Sequence, residues 1–315
     1  MPSSLHVVST VSSERFARAL AQHLDVPLAQ VERRHFPDGE SYLRFAIDDP
    51  FALLGRDVIV VGSTDTAASL DEVYRLGFAA TQNGARSLVL VVPYFGYSTM
   101  ERAAHPGEQV AAKSIARQLS GLPQAARGTW LLMMDLHSAG LVHYFEGTPV
   151  ALEVSAMPRL CEVIASLKLA RPTLASTDMG RAKQVERYAN HLQAPVALIH
   201  KRRLSGTKTE IGAVLGEVAG RDVVIYDDMI RTGGSLAQAA EAYRAAGAAS
   251  ITAVTTHLVL APGTVERLEA APLDRIVGTD THPAHARVIE RTRFSVVSVA
   301  DLFADVVRRL VGGDV

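Results

Sequence analysis

The sequence contains almost no cysteine, and this scarcity excludes two classes of protein. Cys161 is the single cysteine among 315 residues, so the chain holds neither an intrachain disulfide framework nor a metal site built from several cysteines. Because free cysteine is among the most buried residue types, we expect Cys161 to be part of the core.

Long apolar runs and a surplus of charge of either sign are also missing. No apolar stretch approaches the roughly 20 residues that a membrane-spanning helix needs, and residues 1–8 lack the basic segment and apolar run of a secretory signal. The 32 basic and 33 acidic residues give a net charge of -1, which creates no general field to attract nucleic acid or anionic lipid. We therefore expect a cytoplasmic protein without a membrane or nucleic-acid partner, in which any anion site is local.

Short β-branched runs alternate with amphipathic segments along the whole chain. This alternation predicts an α/β fold in which a mostly parallel sheet is flanked by helices. The predicted strands are residues 5–8, 57–61, 87–92, 130–134, 172–175, 196–199, 222–226, 250–254, 275–277 and 294–297. The predicted helices are residues 12–24, 69–84, 109–119, 235–246 and 299–310.

The order of these elements predicts two successive α/β domains with a break near Gly147. We assign residues 1–147 to an N-terminal domain and residues 148–293 to a C-terminal domain. Residues 294–315 form a final strand and helix, which we expect to pack back on the N-terminal domain. Because ligands of open α/β sheets bind beyond the carboxyl ends of the strands, the residues that follow each apolar run are the candidates for function.

The strongest functional signal is the sequence VVIYDDMIRTGGSL at positions 223–236. A buried strand is followed by Asp227 and Asp228, which are placed to accept hydrogen bonds from a ribose diol. Residues 232–235 then offer backbone N–H groups, hydroxyls and a helix N-terminus, which together suit a phosphate, and the two glycines allow its close approach. A P-loop kinase is disfavoured because the Gly-x-x-x-x-Gly-Lys-Ser/Thr run does not occur.

A second signal is the sequence FPDGE at positions 36–40. Phe36 offers an apolar face for stacking, and Asp38 and Glu40 can accept hydrogen bonds. The competing interpretation is a plain turn.

Three further segments follow predicted strands. His137 comes after the run 130–134 and two residues after Asp135, and Asp178 lies in the segment ASTDMG. The sequence HKRR at 200–203 supplies Lys201 and Arg203, whose positive charge suits an anionic ligand. A structural histidine and a solvated basic turn are the competing interpretations.

Together with VPYFGY at 92–97 and DLH at 135–137, these motifs resemble those of the ribose-phosphate diphosphokinase family and occur in the same order. The glycine loop alone also resembles type I phosphoribosyltransferases acting on a base, but those enzymes leave residues 36–40 and 201–203 without a role. The resemblance runs from about Leu5 to Leu310. It implies two successive domains of type I phosphoribosyltransferase-like architecture, each a mostly parallel sheet flanked by helices.

The resemblance also implies an activity. Such an enzyme transfers diphosphate from ATP to the anomeric hydroxyl of ribose 5-phosphate or a related 5-phosphoribosyl compound and releases AMP, with Mg²⁺ as cofactor. Relatives of this kind form homo-oligomers, either dimers or hexamers, in which subunits share the ATP site.

The family's site residues transfer to this chain as follows. The implied catalytic residues are Lys201 and Arg203. The implied ATP-binding residues are Phe36, Asp38, Glu40, Arg102 and His137. The implied sugar-phosphate-binding residues are Asp227, Asp228, Arg231, Thr232, Gly233, Gly234, Ser235 and Arg181. The implied metal ligands are His137 and Asp178.

Four departures from the family's pattern bear on function. Residues 98–102 read STMER where the family has Ala-Arg-Gln-Asp-Arg, so an Arg and a Gln that contact ATP are lost. Residues 138–142 replace a Gln-rich stretch. Arg181 replaces the second glycine of a Gly-Gly pair, and Arg231 replaces an aspartate.

The departures leave two alternatives open. If Arg181 and Arg231 face the ligand, they favour an acceptor with more negative charge than ribose 5-phosphate, such as ADP-ribose. Otherwise both arginines project to solvent or pair with acidic residues. Loss of the usual ATP contacts also leaves open a catalytically silent paralogue that regulates an active enzyme.

Overall fold

The computed structural model describes residues 5–147, 149–203 and 209–312, and the side chains of residues 201–203 and 209–212 lie outside this description. The chain divides into two compact units. The first runs from the start of the chain to Ser155 and includes Thr281–Pro283 and the residues from Ser298 onward. The second consists of Ala156–Asp280 and Ala284–Val297.

The first unit is built on a parallel sheet of five strands. Its elements before Ser155 are β1 (Leu5–Ser9), α1 (Glu14–His23), β2 (Val31–His35), β3 (Ser41–Phe45), β4 (Asp57–Val61), α2 (Ala67–Gln82), β5 (Ser87–Val92), α3 (Ala111–Ser120), β6 (Gly128–Met134) and β7 (Val150–Val154). The strand order is β1-β4-β5-β6-β7. Every residue of β4 and β5 is buried, which is why both strands read as continuous apolar runs.

Strands β2 and β3 form a separate antiparallel hairpin outside this sheet. Val31 and Phe45 pair at its open end, and His35 and Ser41 pair next to its turn. Most of the hairpin is exposed, so it lacks the apolar run that marks a buried strand, and the sequence did not predict it.

The second unit is built on a sheet of seven strands in the order β10-β9-β8-β11-β12-β13-β14. Its elements are α4 (Met157–Ser166), β8 (Pro172–Ser176), α5 (Ala182–Leu192), β9 (Val196–Arg203), β10 (Thr209–Leu215), β11 (Asp222–Ile230), α6 (Gly234–Ala245), β12 (Ser250–Leu258), α7 (Thr264–Ala270), β13 (Arg275–Thr279) and β14 (Phe294–Val297). All neighbouring strands are parallel except β9 and β10, which are antiparallel. The predicted α/β class with mostly parallel sheets is confirmed, and each apolar run predicted as a strand lies in one.

The last helix, α8 (Ala300–Val311), belongs to the first unit. Its Phe303 meets Phe16 of α1 edge to face, with ring centroids 5.6 Å apart. Of the predicted C-terminal segment, the strand β14 pairs with β13 in the second sheet, whereas the helix packs in the first unit.

Two observations bear on what the composition led us to expect of Cys161 and of membrane-spanning helices. Cys161 is buried in α4, and burial raises the pKa of its thiol to about 11, which makes it an unreactive core residue. Among the described residues, no helix is long and apolar enough to cross a membrane.

Candidate functional site

Asp227 and Asp228, called here the acidic pair, lie where β11 continues beyond the end of its neighbouring strand β8. Pairing between β11 and β8 ends at Tyr226 and Ser176, whereas pairing with β12 continues to Ile230 and Leu258. The sequence predicted that the strand ends at Tyr226, but β11 runs on through the acidic pair because β12 still supports it. The two carboxylates therefore emerge at the carboxyl end of β8, the edge at which ligands of such sheets bind.

The acidic pair is held by contacts from the segment that follows β8. Thr177 donates its hydroxyl to Asp227 Oδ2 at 3.1 Å, and the Asp228 N–H donates to Asp227 Oδ1 at 3.1 Å. Arg181 Nη2 lies 2.8 Å from Asp228 Oδ2, and Arg181 Nε lies 3.7 Å from Asp227 Oδ1. The structure thus brings Arg181 and both aspartates together. Of the two alternatives for this arginine, the contact matches pairing with acidic residues. Thr177 was not singled out from the sequence, because a threonine at a strand end carries no distinctive signal.

Burial raises the pKa of Asp227 to about 7. The neighbouring charge and hydrogen bond of Asp228 act in the same direction, whereas Arg181 and Thr177 oppose the shift. Two adjacent carboxylates in a partly buried place therefore retain a proton at higher pH than an isolated aspartate does.

The glycine loop that follows β11 lies against α7. Thr264 donates its hydroxyl to the Arg231 carbonyl at 2.7 Å, and Arg267 Nη1 donates to the Thr232 carbonyl at 2.7 Å. Gly233, the residue before α6, has a φ of +71°, and a Cβ at this position would lie 3.0 Å from Leu268 Cδ2. The loop therefore needs glycine here and is supported by two side chains of α7, an element that the sequence did not predict.

The loop places the N-terminus of α6 at the same edge as the acidic pair. Gly233 has no side chain to cap α6, so the first N–H groups of the helix lack the usual side-chain acceptor and suit an anion. Thr232 and Ser235 are exposed beside it. Tyr243 of α6 anchors the helix by donating its buried hydroxyl to the Ser176 carbonyl at 2.9 Å.

Arg231 is exposed, and its Nη2 lies 3.8 Å from the sulfur of Met229. Its backbone carbonyl is engaged by α7, as described above. The structure therefore fixes the backbone of Arg231 and leaves its side chain on the surface.

Asp178, a predicted metal ligand, follows Thr177 and is half-buried. Its Oδ1 accepts the N–H of Gly180 at 2.8 Å and so opens the short 3-10 turn Met179–Arg181. That turn carries Arg181 to the acidic pair.

Lys201 and Arg203, the predicted catalytic residues, lie in β9, which continues to Arg203 and pairs with β10 at Thr209. Their side chains and residues 204–208 lie outside the described residues, so their roles stay predictions.

In the first unit, Phe36 stands at the tip of the β2–β3 hairpin and is 42% exposed. The guanidinium of Arg34 lies 5.5 Å from the Phe36 ring and 4.2 Å from the Tyr42 ring. Asp38 and Glu40 are exposed, and Asp38 Oδ1 accepts the Glu40 N–H at 3.1 Å. The tip therefore presents a ring face and two carboxylates to its surroundings.

A tight turn follows β5. Gly96 donates its N–H to Thr64 Oγ1 at 2.8 Å, and a Cβ at Gly96 would lie 2.0 Å from the Thr64 carbonyl oxygen, so no other residue fits. In the loop that continues from this turn, the Glu101 carbonyl accepts the hydroxyl of Tyr144 at 2.7 Å, and the adjacent Arg102 is exposed.

His137 follows β6 through an unusual turn. Asp135 has a φ of +36°, and the Leu136 N–H donates to Glu153 Oε1 at 2.8 Å. His137 is left half-buried at the carboxyl end of the first sheet.

Over the ranges that the structure describes, no three His, Cys, Asp or Glu side chains gather into a metal-binding group. Mg²⁺ does not require such a group, because it keeps several waters and binds through one or two carboxylates together with substrate phosphates. The carboxylate of Asp178 fits this mode. The imidazole of His137 fits it less well, since Mg²⁺ prefers oxygen, but it suits a phosphate as a hydrogen-bond donor.

Two family models match the sequence. One, described as the N-terminal domain of ribose phosphate pyrophosphokinase, matches residues 5–122. The other, described as a phosphoribosyl synthetase-associated domain, matches residues 202–315.

Similar proteins match along nearly the whole length. The ribose-phosphate pyrophosphokinase of Wolinella succinogenes is 33% identical over 297 residues, which are 94% of this chain and 92% of that protein. That of Campylobacter jejuni is 31% identical over 306 residues, which are 96% of this chain and 95% of that protein. The crystal structure of phosphoribosylpyrophosphate synthetase from Mycobacterium smegmatis matches with a TM-score of 0.85 and 25% identity, covering 97% of this chain and 98% of that chain.

Proposed function

Because this chain belongs to the family of ribose-phosphate pyrophosphokinases, as its motifs predicted, we propose that it transfers diphosphate from ATP to the anomeric hydroxyl of ribose 5-phosphate. The observation that carries the proposal is the acidic pair beside the N-terminus of α6. One end of that arrangement suits a diol, and the other suits a phosphate.

The proposed reaction is an in-line displacement. The anomeric oxygen forms a bond to the β-phosphorus of ATP, the bond from that phosphorus to the oxygen bridging the α-phosphate breaks, and AMP leaves. The hydroxyl proton is released to solvent. Since phosphoryl transfer passes through a loose transition state, the protein contributes mainly positioning and charge.

The second unit supplies the sugar-binding residues of this proposal. The carboxylates of Asp227 and Asp228 accept hydrogen bonds from the ribose diol. The N–H groups of residues 232–235 and the N-terminus of α6 bind the 5-phosphate. Arg267 adds positive charge at the loop. Its Nη1 lies close to Gly234, at 3.9 Å from the position that a Cβ on this residue would occupy.

The nucleotide-binding residues of the proposal belong to the first unit. The exposed Phe36 stacks on adenine, and Asp38 and Glu40 accept from the exocyclic amine. Arg102 and His137 contact the ATP phosphates. Lys201 and Arg203, from β9 of the second unit, neutralise charge on the diphosphate in the transition state.

Mg²⁺, when bound, neutralises part of the charge on the ATP phosphates, and Asp178 is the residue whose oxygens fit it. The proposal also includes assembly as a homo-oligomer, a dimer or hexamer, in the cytoplasm. Light scattering on the purified protein measures the assembly directly.

The activity is tested by AMP release. The protein is incubated with ATP, Mg²⁺ and a panel of ribose phosphates and ADP-ribose, with the Asp227→Asn/Asp228→Asn double variant as control. We expect release with ribose 5-phosphate in wild type and none in the double variant. An active double variant would show that the acidic pair does not hold the sugar.

Two alternatives rest on single observations. A larger acceptor such as ADP-ribose requires that Arg231, whose side chain lies on the surface, reach the ligand, and Arg231→Asp should then shift the ratio of kcat/KM values toward ribose 5-phosphate. The altered residues 98–102 favour a silent regulatory paralogue, which would release AMP with no member of the panel.

A further inference from the structure

The protein itself places a cation, the guanidinium of Arg181, at the acidic pair. Arg181 is the last residue of the 3-10 turn Met179–Arg181, and its Nη1 lies 3.2 Å from Gln184 Oε1 at the start of α5. Its side chain is only 14% exposed. The turn and Gln184 therefore hold the guanidinium in place.

This guanidinium bridges the two carboxylates. Arg181 approaches Asp228 through Nη2 and Asp227 through Nε, at the distances given above. The side chains of Asp228 and Asp227 are 2% and 19% exposed. Two adjacent carboxylates at this depth are costly to bury without a cation, and the single positive charge of the guanidinium offsets one of their two negative charges.

A divalent cation would need the same space. Mg²⁺ requires carboxylate oxygens at about 2.0–2.1 Å and a near-octahedral shell. Guanidinium nitrogens face Asp228 Oδ2 and Asp227 Oδ1, and Asp227 Oδ2 accepts from Thr177. An ion that bridges both carboxylates is therefore incompatible with Arg181 in this position.

We propose that Arg181 takes the place of a divalent cation at the acidic pair, so that this pair binds its ligand without a metal ion and becomes a metal site only when the guanidinium is removed. The identity of that ligand as a ribose diol rests on the proposed function. The exclusion of the metal ion rests only on the ion pairs and burial.

The proposal predicts a gain of metal binding. Titration with Mn²⁺, followed by the electron paramagnetic resonance signal of the free ion, counts the ions bound by each variant. We expect Arg181→Ala to bind one more Mn²⁺ per chain than wild type. Adding Asp227→Asn and Asp228→Asn to that variant should abolish the extra site.

Two controls separate this effect from a general change in charge or fold. Arg187, exposed in α5, loses the same charge in Arg187→Ala away from the acidic pair, and this variant should bind as many ions as wild type. The Asp227→Asn/Asp228→Asn variant with Arg181 intact should also match wild type. This second comparison tests whether the acidic pair holds a metal ion in wild type, even if Arg181→Ala fails to fold.

The proposal is overturned if folded Arg181→Ala binds no additional Mn²⁺. It is equally overturned if the double aspartate variant binds one ion fewer than wild type, since the pair would then hold a metal ion beside Arg181.

A separate measurement addresses the ligand. In EDTA, wild type should bind ribose 5-phosphate as tightly as it does with Mn²⁺, whereas Arg181→Ala should bind it roughly tenfold more weakly in EDTA than with Mn²⁺. Equal dependence of both proteins on the ion contradicts the proposed role of Arg181. If neither protein binds ribose 5-phosphate, the proposed function fails, and the Mn²⁺ counts still decide the role of Arg181.

Discussion

At the scale of single residues, the position of Arg181 depends on a strand order that sequence cannot supply. The segment after β8 and the strand β11 are far apart in the chain but neighbours in the sheet. The motifs identified Arg181, Asp227 and Asp228 as site residues. They could not show that the arginine bridges the two acids, because that contact depends on β8 and β11 being neighbours.

The titration of Asp227 gives a first prediction. In the unfolded chain this carboxyl titrates near 3.8, and in the folded protein near 7, so between these values the folded state holds a proton that the unfolded chain has lost. Raising the pH through this window therefore lowers the free energy of unfolding, by at most about 1.4 kcal/mol per pH unit from this group. Above about pH 7 its contribution is constant.

The measurement is urea denaturation of wild type and Asp227→Asn at several pH values between 4 and 8. Because asparagine does not titrate, wild type should lose stability relative to the variant as the pH rises from 4 to 7. A difference that stays constant across this range contradicts a raised pKa for Asp227.

Phe36 gives the second prediction at this scale. If its exposed ring stacks on adenine, Phe36→Ala removes about 1–3 kcal/mol of binding and raises the KM for ATP by roughly 5- to 150-fold. Phe78→Ala is a matched control, because Phe78 is 40% exposed against 42% for Phe36 and lies in α2. Equal KM values in the two variants would mean that the hairpin tip is only a turn.

At the scale of elements, two adjacent glycines at the start of α6 differ in whether they tolerate a side chain. Gly233 has a positive φ and almost no room for a Cβ, whereas Gly234 has an ordinary φ and the nearest side-chain atom, Thr232 Oγ1, lies 3.8 Å from the position of its Cβ. A left-handed conformation costs an L-residue roughly 1–2 kcal/mol, and alanine is a better helix former than glycine.

Gly233→Ala should therefore lower the free energy of unfolding by about 1–3 kcal/mol and weaken phosphate binding, because the loop must shift away from Leu268. Gly234→Ala should keep stability within about 0.5 kcal/mol of wild type or raise it. Thermal or urea denaturation distinguishes the two. Similar losses in both variants would show that loop geometry does not decide the effect.

The elements that the sequence predicted share one physical property. Strands such as β4 and β5 are buried on both faces and therefore read as uninterrupted apolar runs. The hairpin β2–β3 was missed because a short, largely exposed element carries no such pattern, and the seven-residue α7 is too short to show a helical period. The candidate site follows the same division: the sequence predicted that Asp227 and Asp228 lie at the end of a strand, but it did not predict the contacts from Arg267 and Thr264 of α7.

At the scale of the whole molecule, the end of the chain completes a unit that begins at its start. Helix α8 follows the second sheet in sequence yet packs on α1, where Phe303 is wholly buried. Arg127 adds a hydrogen bond from its Nη1 to the Val311 carbonyl at 3.3 Å. Periodicity predicted the helix but not its partner, because an amphipathic face shows only that one side of a helix is buried.

This arrangement predicts that a substitution near the C-terminus destabilises the N-terminal sheet. Phe303→Ala removes a fully buried ring and should lower the free energy of unfolding by about 3–5 kcal/mol. Hydrogen exchange should accelerate in β1 and β4 before it changes in β11 and β12, because α8 is part of the first unit.

Combining Phe303→Ala with Phe16→Ala should show a coupling of about 0.5–1.5 kcal/mol, as expected for an edge-to-face pair. Phe51, which is 70% exposed in the same unit, is the control, and Phe51→Ala should change stability by less than about 0.5 kcal/mol. Faster exchange that begins in β11 and β12 would contradict the assignment of α8 to the first unit.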